Sequence, residues 1–174
     1  MAAAATTLPP VGSDKTPDID DEDPRPAHGR PFVPSGFEPP LPPHTADLWL
    51  EPLGPQHNEA DYDAWTSSME HIHATPGFAD RTWPHPMSPD QNLADLDRHA
   101  RDFEQGLGFT YTVLDAPGGD VIGCLYIYPS ADAAVDAEVR SWVRASHARL
   151  DEQLATLVAG WLRDEWPFAA VCYR

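Results

Sequence analysis

The segment from Val135 to Tyr173 constrains the fold more than any other part of the chain. Val135 to Arg144 reads as a strand, a long amphipathic helix follows from about Ser146 to Trp166, and Phe168 to Tyr173 reads as a second apolar strand. Leu150, Leu154, Leu157, Val158, Trp161 and Leu162 fall on one face of that helix, and Pro167 ends it. A strand, a helix of this length and another strand close into a right-handed crossover with parallel strands. Such a unit needs cover on both faces of its sheet, so further helices and strands must surround it.

The sequence upstream supplies them. Asp47 to Leu53 reads as a first strand, ended by Gly54-Pro55. Tyr62, Trp65, Met69 and Ile72 share one face of a helix from about Asn58 to Ala74. A Pro- and Trp-rich loop follows, from Thr75 to Met87. The next helix carries its own boundary signals: Ser88 caps it, Pro89 takes the first position, Gln91 completes a capping box and Gly106 stops it. Phe109 to Asp115 and Val121 to Tyr128 then form two strands joined across Ala116-Pro117-Gly118-Gly119. The second is apolar on both faces and is expected at the centre of the sheet. The expected order is β-α-α-β-β-β-α-β, an α/β fold with a mixed central sheet flanked by helices, over residues 46–174.

Residues 1–45 have another character, holding more than half of the 20 prolines and the acidic run Asp18 to Asp23. Met1 to Arg30 has too few apolar groups to offset the entropy of ordering and is expected to be disordered. Phe32, Val33, Phe37 and Leu41 are expected to lie in extended form across the domain.

The charge narrows the partners. With 28 acidic against 11 basic residues the formal charge is −17, which repels nucleic acid and anionic membrane surfaces. No apolar run approaches the roughly 20 residues of a membrane helix, and the start Met1 to Thr6 lacks the features of a signal peptide. A cytoplasmic location is expected. Cys124 and Cys172 make neither a disulfide framework nor a zinc site. One intervening strand puts them roughly 9–10 Å apart, beyond disulfide reach, and both are expected as buried apolar residues. His71 and His73 point to different faces of a helix, so no metal site is expected.

The element order, with the hairpin Phe109–Leu114 and Val121–Gly123 and the strand Ala137–Val143, resembles the GNAT superfamily of N-acetyltransferases. The resemblance implies a splayed strand whose backbone pairs with the pantetheine arm of acetyl-CoA, and Trp142, Val143 and Arg144 would offer those groups. It also implies a turn R/Q-x-x-G-x-G/A that opens the long helix around the pyrophosphate. Here Ala148, Asp151 and Gln153 stand at the motif positions. A carboxylate a few Å from a pyrophosphate costs roughly 1–4 kcal/mol. Arg144 and Arg149 are placed to compensate as phosphate-binding forks. The other reading of Asp151 and Glu152 is that they favour the positive end of the helix.

For amine acetylation, Glu138 is the first candidate as general base, in a position where some members of the family carry a glutamate. The other reading is a solvated ladder of Asp136, Glu138 and Arg140 along one face. The loop Phe78 to Pro86 either lines an acceptor pocket or plugs the core through Trp83. The implied activity is acetyl transfer from acetyl-CoA to a small amine. The alternative is a non-catalytic binding or dimerisation module with a degenerate cofactor site. Family members add a helix and hairpin past the strand that here ends at Tyr173. The edge at Phe168 to Tyr173 is therefore expected to be covered by a second subunit, in a homodimer, or by residues 31–41.

Overall fold

The computed structural model describes residues 31–79 and 81–173; the expectation of disorder for Met1 to Arg30 falls outside them. Five strands form one sheet in chain order: β1 Trp49–Pro52, β2 Phe109–Leu114, β3 Val121–Pro129, β4 Ala137–Val143 and β5 Val171–Tyr173. The first four pair antiparallel, and β4 and β5 pair parallel through the crossover helix α4, Asp151–Glu165. β3 is central and almost wholly buried, as its two apolar faces require.

Helices α1 (Asn58–Thr66), α2 (Met69–Ala74) and α3 (Pro89–Gln105) complete the set. Trp65, Ile72 and Leu96 from these helices join Phe78, Cys124 and Trp142 in one core. Leu154, Val158, Trp161 and Leu162 of α4 join Tyr111, Leu125, Ile127 and Val139 in the other. The sheet thus separates two cores, each fed by alternate residues of the same strands.

Local signals placed α3 where they stand in the sequence. Ser88 Oγ accepts the Gln91 N–H at 3.2 Å, Gln91 Oε1 accepts the Ser88 N–H at 2.8 Å, and Gly106 ends the helix at φ 67°.

Four expectations are corrected. The helix expected from Asn58 to Ala74 breaks at Ser67–Ser68. Thr66 Oγ1 donates to the Tyr62 carbonyl at 2.6 Å and Ser67 Oγ to the Asp63 carbonyl at 2.7 Å, so hydroxyls compete for the carbonyls that the next turn would use. The long helix begins as a 3₁₀ segment, Ala145–Leu150, and becomes α-helical only at Asp151. The last strand is shorter than Phe168 to Tyr173, because Asp136 Oδ2 accepts the Ala169 and Ala170 N–H groups at 2.7 and 2.9 Å. That carboxylate takes donors that a longer strand would have offered to β4. Both cysteines are free, but only Cys124 is buried; Cys172 is half-buried near the sheet edge.

Of residues 31–45, Phe32, Val33 and Phe37 pack against the domain as expected, whereas Leu41 is exposed and makes no part of either core. Phe32 stacks on Phe168 with centroids 5.0 Å apart, and Phe37 packs on Trp166 at 5.4 Å. The double change Phe32→Ala with Phe37→Ala is expected to cost about 2 kcal/mol, since each ring is half-buried. An unaltered urea midpoint would mean that these residues rest on the surface without stabilising it.

Candidate active-site cleft

β5 pairs only with the first residues of β4: Ala137 with Val171, Glu138 with Cys172 and Val139 with Tyr173. From Arg140 to Val143, β4 has no partner strand on that edge among the described residues. A cavity of about 560 Å³ opens there, between β4, α4 and the end of α2. That volume lies within the range of small-ligand sites, about 300–1,000 Å³.

Its two ends differ in chemistry. At the level where pairing with β5 stops, Ser141 Oγ and Tyr173 Oη lie 2.7 Å apart and both line the cavity. Burial pushes the Tyr173 phenol up to about 12, so it stays protonated at neutral pH. At the other end, His71 Nε2 on α2 lies 3.1 Å from Asp151 Oδ2 at the start of α4. Desolvation raises the Asp151 carboxyl above its ordinary value, against the pull of His71 and of the Val143 N–H. Glu152 lines the same end, and among the described residues no Lys or Arg lines the cavity.

The candidates read from sequence fall around this cleft rather than in one cluster. Glu138 leaves β4 on the α1–α3 side and pairs with Arg81 of the 75–87 loop, Nη2 to Oε1 2.9 Å. Trp142 is fully buried on that same side, its indole Nε1 donating to Tyr126 Oη at 3.3 Å. Val143 is buried in the α4 core. Arg144 turns back to α1, with Nη2 2.8 Å from Asp63 Oδ2 and 2.9 Å from Ser67 Oγ. Arg149 is exposed on the 3₁₀ turn and makes no ion pair among the described residues.

The loop is folded down as a plug. Trp83 meets Trp65, Phe78, Tyr126 and Trp142 with centroids 5.7–6.3 Å apart. Two polar networks hold the helices on this face. Trp65 Nε1 donates to Asn92 Oδ1 at 2.9 Å, and Asn92 Nδ2 donates to Asp61 Oδ2 at 3.1 Å. His99 Nδ1 lies 2.7 Å from Tyr128 Oη, which donates to Asp102 Oδ2 at 3.0 Å. Burial, first of all, holds the His99 imidazole well below its ordinary value.

Sequence reading missed Ser141 and Tyr173 as site residues. The signal available for Ser141 was a small polar residue between Val139 and Val143 on an otherwise apolar face. The sequence holds no comparable signal for Tyr173, whose place depends on the parallel register of β5 on β4.

Acetyl-CoA, the donor implied by the resemblance, meets this site unevenly. The open edge of β4 and the mostly uncharged cavity suit a pantetheine arm. The end at α4 does not suit a diphosphate: the turn Ala145–Leu150 has no glycine, the helix opens on Asp151-Glu152, and Asp151 already draws on the Val143 N–H. The residues present do not fit the whole molecule.

The fold is GNAT-like: a mixed sheet with a parallel β4–β5 pair, crossed by one long helix, with a cleft beside the part of β4 that β5 does not cover among the described residues. Among solved structures the chain is similar to a proposed ribosomal-protein-serine acetyltransferase from Vibrio cholerae, at 14% identity and TM-score 0.54 over 73% of this chain and 70% of that one. It is similar to ribosomal-protein-S5-alanine acetyltransferase from Vibrio fischeri, at 10% identity and TM-score 0.54, covering 71% and 67%. It is also similar to RimL, a ribosomal L7/L12 alpha-N-protein acetyltransferase, at 15% identity and TM-score 0.53, covering 75% and 70%. No family model matches the sequence, and no curated protein matches it. Among the described residues, no helix is long and apolar enough to cross a membrane.

Proposed function

We propose that the protein is an N-acyltransferase that moves an acetyl group from a thioester donor to a small amine. The observation that carries this reading is the Ser141–Tyr173 hydroxyl pair, set in the cleft beside Val139–Tyr173, the last described pair of β4 and β5. Aminolysis of a thioester forms a C–N bond, breaks a C–S bond and moves one proton from nitrogen to sulfur. It needs a donor near the developing negative charge and an acceptor for the amine proton. Tyr173, protonated at neutral pH, serves as the donor, with Ser141 fixing its hydroxyl. Glu138 neighbours Val139, the partner of Tyr173, on the strand's other face and outside the cavity lining, and it takes the amine proton through a water. Its ion pair with Arg81 orients the carboxylate and also ties the loop to the site.

The names of the three structural neighbours give ribosomal proteins as their acceptors. In this chain Trp83 packs the 75–87 loop as an aromatic plug against Tyr126 and Trp142, which narrows the space on that face of the sheet. That favours a small amine. Acetyl-CoA is the donor for a first assay, read as thiol release with a panel of primary amines and as a thermal shift without them.

Glu138→Gln is expected to lower turnover by about a hundredfold while the shift given by the donor stays the same. Turnover at the wild-type rate would remove Glu138 from this role. The alternative is the non-catalytic binding module, which Asp151 and Glu152 favour by occupying the expected phosphate seat. Absence of both thiol release and thermal shift, with CoA and nucleotide-free thioesters alike, would decide for it.

A further inference from the structure

We infer that the cleft takes its acyl donor as a nucleotide-free, pantetheine-type thioester, an uncharged arm with no diphosphate; this rests on the acyltransferase reading above. Four observations converge. The cavity holds about 560 Å³ beside the unpaired half of β4, and between its two ends it is lined mainly by small apolar side chains such as Ala155 and Ala159. Its polar groups suit a neutral amide-bearing chain: the Ser141–Tyr173 pair at one end and Thr75 and Thr156 along the walls. The outer end presents Asp151 and Glu152, and a diphosphate placed there meets two carboxylates.

The fourth observation is that, among the described residues, no arginine lines the cavity to offset them. Arg144, just past the end of β4, is held on the far side by Asp63 at 2.8 Å and Ser67 at 2.9 Å. Arg149 is exposed and does not line the cavity. His71, the basic group at the cleft among the described residues, is engaged with Asp151. A nucleotide tail would therefore pass an acidic lip without a counter-charge. An arm that ends before the lip would not.

Calorimetric titration of the full chain with pantetheine and with CoA tests this directly. Pantetheine is expected to bind about tenfold or more tightly than CoA at low ionic strength. Added salt should narrow the gap by strengthening CoA binding, because screening relieves repulsion. Glu152→Gln, at an exposed position that leaves the fold intact, should strengthen CoA binding and leave pantetheine binding unchanged. Asp151→Asn should do the same more strongly. CoA binding tighter than pantetheine, weakened by salt and indifferent to Glu152→Gln, would overturn the inference and leave the acyltransferase reading standing. Binding of neither ligand would overturn both.

Discussion

Asp61→Asn is expected to stabilise the protein by about 3 kcal/mol at pH 8 and by almost nothing at pH 4. Asp61 is buried on α1, and desolvation raises its carboxyl from 3.8 to about 6, opposed by the hydrogen bond from Asn92. A carboxyl whose pKa is raised by folding is stabilising while protonated. That contribution is complete below about pH 4 and is lost as pH rises through about 6. Over this window the wild type should therefore lose stability with increasing pH from this group, and the asparagine variant should not. An asparagine oxygen at the same place still accepts from Asn92 Nδ2, so the Trp65–Asn92–Asp61 bridge between α1 and α3 survives. Urea denaturation at several pH values checks the result. Parallel pH profiles for the two proteins between pH 4 and 7 would show that Asp61 ionises freely in the fold.

The second large effect lies in the core between the sheet and the 75–87 loop. Trp142→Ala is expected to cost about 3–5 kcal/mol, the range for truncating a fully buried aromatic residue. The indole fills the space between Trp83 and the sheet, and its loss also leaves Tyr126 Oη without its donor. The neighbouring strand leaves no slack for collapse. At Gly123 a Cβ would run into the Trp142 carbonyl, so β3 and β4 are already at closest approach there. Because the same residue carries the backbone that forms the open edge of β4, thioester binding should weaken together with stability. Trp142→Phe should recover most of the stability. A loss below about 1 kcal/mol in Trp142→Ala would mean that the loop repacks into the space.

Much of this architecture is legible in the chain because its causes are local. The box of Ser88 and Gln91 and the left-handed Gly106 act within four residues, and they set the ends of α3. The apolar run of β3 announces a central strand, and the stripe of α4 announces its crossover role. Misreadings arose where a side chain competed with the backbone. The hydroxyls of Thr66 and Ser67 break a helix that apolar spacing alone would continue. Asp136 shortens the last strand by binding two amides more than thirty residues away.

The candidate site shows the same division. Glu138 was readable as a carboxylate on the right strand. Its partner was not: Arg81 lies 57 residues away in a loop, and Arg140, two residues along the same strand, was the nearer guess. Arg144 was readable as a cation beside the helix start, but Asp63 and Ser67 on α1 decide where it points.

What the sequence by itself determined is the order and character of the elements, with the glycine-free, acidic start of the long helix. These depend on residue type and short-range spacing, which are properties of the chain whatever its path. Only the tertiary structure decided that β5 pairs parallel with β4, Val139 opposite Tyr173, and so brings Tyr173 onto Ser141. It also decided that His71 meets Asp151 and that Arg144 faces away from the cleft. Those are contacts between groups 32 to 81 residues apart, created when the sheet closes and absent from any local pattern.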